Sequence, residues 1–166
     1  MDDNGNDSVI LVDDEGVGHI GALVQDKNGN WWHFYWGTEK KKHPLVALLM
    51  PVKAKTYCTR YKGTIELSEI NNSSNYLGES YKGKYTNLYY IVGDFSESFE
   101  LMKNPTSSTY HLLENNCAQV TLGYLSKSKT TYSTALSAAS KNTIPIIAFQ
   151  DAKDKCEDWK DFISNY

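Results

Sequence analysis

Cysteine is scarce: Cys58, Cys117 and Cys156 are three thiols in 166 residues, with no CxxC pair and no metal-ligand spacing. An odd count without such spacing argues against a disulfide framework or a zinc site, and leaves at least one thiol free. No sign of charge dominates either. Lys and Arg total 17 against 20 Asp and Glu, a net charge of −3, so a broad basic field for nucleic acid is missing. Long apolar runs are absent; the strongest, residues 44–52, is bounded by prolines and too short for a bilayer. Residues 1–8 (MDDNGNDS) are acidic and polar, the opposite of a secretory signal peptide, and read as a disordered lead-in. No repeat and no Gly/Pro linker divides the chain, so residues 9–166 are expected to form one domain.

What the chain does have is aromatic. Twelve Tyr, five Phe and four Trp make 13% of the residues, enough ring area to bury a core although aliphatic residues are few. Residues 17–36 read as a hairpin: a β-prone run from His19 to Gln25, an Asn28-Gly29 turn, and an aromatic strand from Trp31 to Trp36. Residues 56–67 and 84–92 read as further strands, and 71–83 as a long exposed loop. Lys40 to His43 reads as a solvated basic loop. Asp94 or Ser96 caps a short helix carrying Phe95, Phe99 and Met102. Cys117, Val120, Thr121, Tyr124 and Leu125 then fall on one face of a second helix, with Asn115 or Asn116 as its N-cap. Helices over 133–140 and 149–163 follow, the last carrying Cys156, Trp159 and Ile163 on its apolar stripe. Strands first and helices after give an α+β fold.

Chemistry concentrates on His19, His33 and Cys117. A cysteine in the first turn of a helix meets orphan N–H groups and the positive end of the helix dipole, which favour a thiolate. A base is supplied by the hairpin if its register has an even index sum, for instance Leu23 opposite His33. His19, His33 and Tyr35 then share one face, and either His33 or Tyr35 orients His19. Each residue also has a plainer role. Cys58 and Cys156 read as core cysteines, His43 and His111 as structural or surface residues, and the tryptophans as packing.

Gly18-His19-Ile20-Gly21-Ala22-Leu23-Val24, and Tyr110-His111-Leu112-Leu113-Glu114-Asn115-Asn116-Cys117 after it, resemble the circularly permuted papain-like hydrolases. That superfamily includes lecithin:retinol acyltransferase-like enzymes and permuted NlpC-type peptidases. It also includes C-terminal domains of Rhs-type polymorphic toxins, which pair G-H-x-x-x-L-[IV] with Y-x-L-[LI]-x-N-N-C and are the nearest in pattern. The resemblance covers residues 17–125, with a weaker echo over 144–151. It implies an antiparallel sheet packed on a helix that carries the nucleophile. Cys117 is then the nucleophile, His19 the general base and His33 or Tyr35 the third group. The Cys117 N–H is the oxyanion donor, with Asn116 as a further donor or as the cap. The implied reaction is hydrolysis or acyl/amide transfer through a thioester, without metal or cofactor. The implied setting is a bacterial toxin or effector, secreted or delivered into a target cell as part of a larger polypeptide and otherwise cytoplasmic, with a protein or peptide substrate and a cognate immunity protein. Lipid acyltransferases of the group follow Asn-Cys with Glu-His-Phe, whereas this chain reads Ala118-Gln119-Val120. Two alternatives stand beside the leading one: a non-catalytic binding module on the same fold, and a lipid acyltransferase or phospholipase.

Overall fold

A computed structural model describes residues 7–15, 18–38, 50–76 and 84–155. Among them six strands form one antiparallel sheet: β1 (Ser8–Asp13), β2 (His19–Gln25), β3 (Trp31–Thr38), β4 (Val52–Arg60), β5 (Asn87–Ile91) and β6 (Thr109–Tyr110). Their order across the sheet is β5-β1-β2-β3-β4-β6, so the first four strands are a meander and the last two pair with its edges. Five α-helices accompany them, with one short 3-10 turn over Ser73–Asn75: α1 (Leu67–Ile70), α2 (Ser96–Lys103), α3 (Cys117–Leu125), α4 (Ser133–Ala139) and α5 (Pro145–Lys155). The fold is α+β, and among the described residues no helix is long and apolar enough to cross a membrane.

The β2–β3 turn follows from its residues. Gly29 takes a positive φ of 76°, which a side chain would resist. The Asp26 carboxylate accepts the backbone N–H groups of Asn28 and Asn30, at 2.9 and 3.0 Å, and the Trp32 indole N–H at 3.0 Å. The register is Ala22 opposite Phe34 and Leu23 opposite His33, an even sum.

Both faces of the sheet are covered. Ile10, Val12, Ile20, Ala22, Val24, Phe34 and Trp36 face the helix layer, where Met102, Leu122, Leu125 and Leu136 bury them. Val9, Leu11 and Leu23 face a second, smaller core closed by Tyr61, Ile70, Tyr76 and Tyr85. Strands covered on both sides lose the alternation of a one-sided strand, which is why all six positions of β1 are buried. Ser8, expected in the polar lead-in, opens β1, and Asp7 just before it is tied to the sheet, its carbonyl accepting the Gln25 N–H at 2.9 Å. Ser8 is buried, and the Asp7 carboxylate accepts the Tyr90 hydroxyl at 2.6 Å.

Other boundaries shift as well. The strand expected over 56–67 runs over β4 and stops at Arg60, because Tyr61 turns to bridge Tyr76 and its hydroxyl bonds the Thr64 carbonyl. Tyr76, expected in an exposed loop, is therefore buried. Phe95 rather than Asp94 or Ser96 is the N-cap of α2, and Asp94 instead binds the backbone N–H of Ser96 at 3.1 Å. α5 begins at Pro145, four residues before the expected start. The Lys40 to His43 loop, residues 77–83, Cys156, Trp159 and Ile163 lie outside the described residues.

Candidate active site

The start of α3 is fixed by Asn116, which is buried and in extended conformation. Its Oδ1 accepts the Gln119 N–H and the Gln119 side chain accepts the Asn116 N–H, both at 3.0 Å, a reciprocal capping box. The Asn116 Nδ2 group donates to the carbonyls of Leu112 at 2.9 Å and Thr143 at 2.7 Å, tying the cap to the loops on either side. Asn115 is not the cap. Its carbonyl accepts the Trp36 indole N–H at 3.0 Å, and its own Nδ2 donates to Ser107 Oγ and the Thr109 carbonyl. With these amide hydrogens engaged, both asparagines are structural in this arrangement. Asn116→Ala removes a cap and strands two carbonyls, so unfolding in urea is expected to show a loss of about 2–4 kcal/mol. A loss below about 0.5 kcal/mol, typical of a neutral surface change, would contradict this role.

Cys117 is the first residue of α3, and α3 docks where two strands part. The β2–β3 ladder ends at Ala22 and Phe34, while β3 remains paired with β4 as far as Thr38. The helix tip takes over the freed backbone of β2. The Cys117 sulfur lies within hydrogen-bonding reach of the N–H groups of Ile20, Ala118 and Cys117 itself. One turn on, the Thr121 hydroxyl donates to the Ile20 carbonyl at 3.3 Å. Burial nevertheless outweighs these donors and pushes the thiol up to about 11. The expectation of a resting thiolate is corrected on this point: at neutral pH the group is S–H.

His19 directly precedes Ile20, and strand alternation turns its ring to the face of Leu23 and His33. Its ring centroid is 5.1 Å from Tyr35 and 6.2 Å from Tyr85. Part of the residue reaches the surface, but Nε2 is sealed from solvent. Burial lowers the imidazole to about 4, against the pull of the Asp13 charge. Tyr35 is near both partners: burial and then the charge of a Cys117 thiolate raise its phenol, as they do for Tyr110 on β6. His33 lies one step further in, fully buried, with Nε2 2.9 Å from the Tyr85 hydroxyl. Burial and then the charge of His19 hold it down to about 3. Tyr35 thus stands against His19, and His33 is anchored elsewhere.

Two residues of this neighbourhood were not legible from the sequence. Tyr85 enters from the segment before β5, and its only forewarning is Gly21: a Cβ there would collide with the Tyr85 hydroxyl and sit 3.1 Å from the Phe34 carbonyl. Asp13 is the direct partner of His19 across the β1–β2 ladder. Gly21→Ala is expected to cost about 1–3 kcal/mol in chemical denaturation, because the Tyr85 ring must leave His33. Unchanged stability would mean that Tyr85 yields freely. Among the described residues no three His, Cys, Asp or Glu side chains group as a metal site. No protein-family model matches the chain, and neither does any curated protein or solved structure.

Proposed function

We propose that the protein is a cysteine-dependent hydrolase or acyl/amide transferase of the permuted papain-like type, working through a thioester on Cys117. The observation that carries this reading is the docking of the α3 tip on β2, with the Ile20 N–H at the Cys117 sulfur and His19 the residue before it. A nucleophile at a helix N-terminus and a base on an adjoining strand is the arrangement acyl transfer needs. Cys117 and His19 each rest neutral, so in this reading the proton passes to the imidazole as the sulfur attacks rather than beforehand. The N–H groups gathered at the helix tip favour the oxyanion that develops. The resemblance of the two motifs to polymorphic-toxin domains favours a bacterial effector, delivered within a larger polypeptide, with a protein or peptide substrate and an immunity protein as its antagonist. Growth arrest on expression, with Cys117→Ser as the inactive control, tests the reading. Arrest that persists in the variant contradicts it.

A second reading, a binding module that keeps the fold without catalysis, is favoured by one observation. Cys117 is only 2% exposed and its thiol is neutral, as a core cysteine would be. A module of this kind keeps partner binding in Cys117→Ala, whereas an enzyme loses turnover.

A further inference from the structure

We propose that Asp13 is the positioning carboxylate of the His19 imidazole, so that the site is completed from β1 as well as from β3. The proposal rests on the cysteine-hydrolase reading and deepens it. Asp13 and His19 are direct partners in the β1–β2 register. Directly opposed residues of an antiparallel pair project to the same face, with Cβ atoms about 4.5–5.5 Å apart. Asp13 is buried, 8% exposed, and a carboxylate so placed is held by charge or hydrogen bonds. One of its oxygens accepts the Glu15 N–H at 3.0 Å, which fixes the carboxylate at the end of the strand.

The surroundings of His19 single out this group. Tyr35 and His33 come from β3 and Tyr85 from the segment before β5, while Cys117, at the tip of α3, meets the backbone of the next residue, Ile20, and the charge field of Tyr35. All of these are neutral at pH 7 by the directions of their titration or by their ordinary phenol chemistry. Asp13 contributes the negative charge, and that charge draws the proton affinity of His19 upward against burial.

The chemistry follows the logic of a triad. As the Cys117 sulfur attacks an acyl carbon, its proton moves to one imidazole nitrogen, a C–S bond forms and the carbonyl electron pair moves to oxygen. Collapse breaks the bond to the leaving group, which takes the proton from the imidazolium. Water then repeats the sequence on the thioester and releases the acid and the thiol. Asp13 stabilises the imidazolium in each half-reaction, and between them it holds the ring N–H that faces it, leaving the other nitrogen bare for the thiol.

Nitrogen-15 NMR of labelled histidine in the full chain at pH 7 tests this, with the His19 signals assigned by their loss in His19→Gln. The wild-type ring is expected in a single neutral tautomer. Asp13→Asn retains the acceptor for the Glu15 N–H but presents an amide N–H to the ring, so the tautomer population should shift. Growth-arresting activity should fall about 10²- to 10⁴-fold. Asp13→Ser gives the same comparison should the Asn variant not fold. A tautomer unchanged in both variants overturns the proposal, whatever the activity. A shifted tautomer upholds the Asp13–His19 coupling, and if Cys117→Ala nonetheless stays active, only the hydrolase reading falls.

Discussion

Cys117→Ala and Cys117→Ser should each abolish growth arrest on expression, lowering turnover by at least ~10³-fold, while the protein still folds. The sulfur is the atom at which the α3 dipole, the Ile20 N–H and the His19 strand converge, and no neighbouring group substitutes for it. The fold should survive because the change removes one heavy atom or exchanges it, a small cavity in a region held by the Asn116 cap and by Thr121 on Ile20. Cys58 is the natural control. It lies on β4 against the helix-side core, and burial pushes its thiol up to about 12. Cys58→Ala should leave growth arrest intact. Thermal melts of both variants beside the activity separate loss of chemistry from loss of structure.

Acid should destabilise the protein from about pH 6.5 downward. His19 is held down to about 4 and His33 to about 3, each chiefly by burial. An unfolded chain takes up these protons near pH 6.5, so between about 6.5 and 4 acid favours unfolding. The contribution is complete above the unfolded value and disappears as the pH falls through the folded one. For His19 alone the shift corresponds to about 3 kcal/mol. Urea midpoints measured from pH 7.5 down to 4.5 should therefore fall steadily, and the slope should lessen in His33→Gln. A flat profile across that range would mean that neither imidazole is buried in its neutral form. The Cys117 thiol acts at the other end: raised from its ordinary value to about 11, it contributes fully below pH 9 and loses that contribution as the pH climbs.

The hairpin and α3 were legible because their signals are local. Asn28-Gly29 sets the turn, the turn sets an even register, and the apolar residues after Asn116 repeat at helical spacing. β1 was not legible. Ser8–Asp13 is apolar without alternation and sits beside an acidic stretch, so neither a one-sided strand nor a helix pattern appears. Missing β1 hid Asp13, since a cross-strand partner exists only once the strand does. Tyr85 was hidden differently: it acts across 52 residues of sequence through His33, and a small residue such as Gly21 is its only trace. The state of the thiol was misjudged because a helix N-terminus is visible in sequence and burial is not. Pro145 at the first position of α5 was a usable signal for that helix's start.

The pairing of Cys117 as nucleophile with His19 as its base is tested most directly by the rate of Cys117 alkylation by iodoacetamide across pH, followed by peptide mass spectrometry in wild type and His19→Gln. With the imidazole taking the proton, Cys117 should react at pH 7 faster than a thiol titrating near 11 allows. The rate should fall as His19 protonates near pH 4, and the pH 7 reactivity should vanish in His19→Gln. A Cys117 that follows simple thiol ionisation in both proteins, no faster than Cys58, would contradict the pairing.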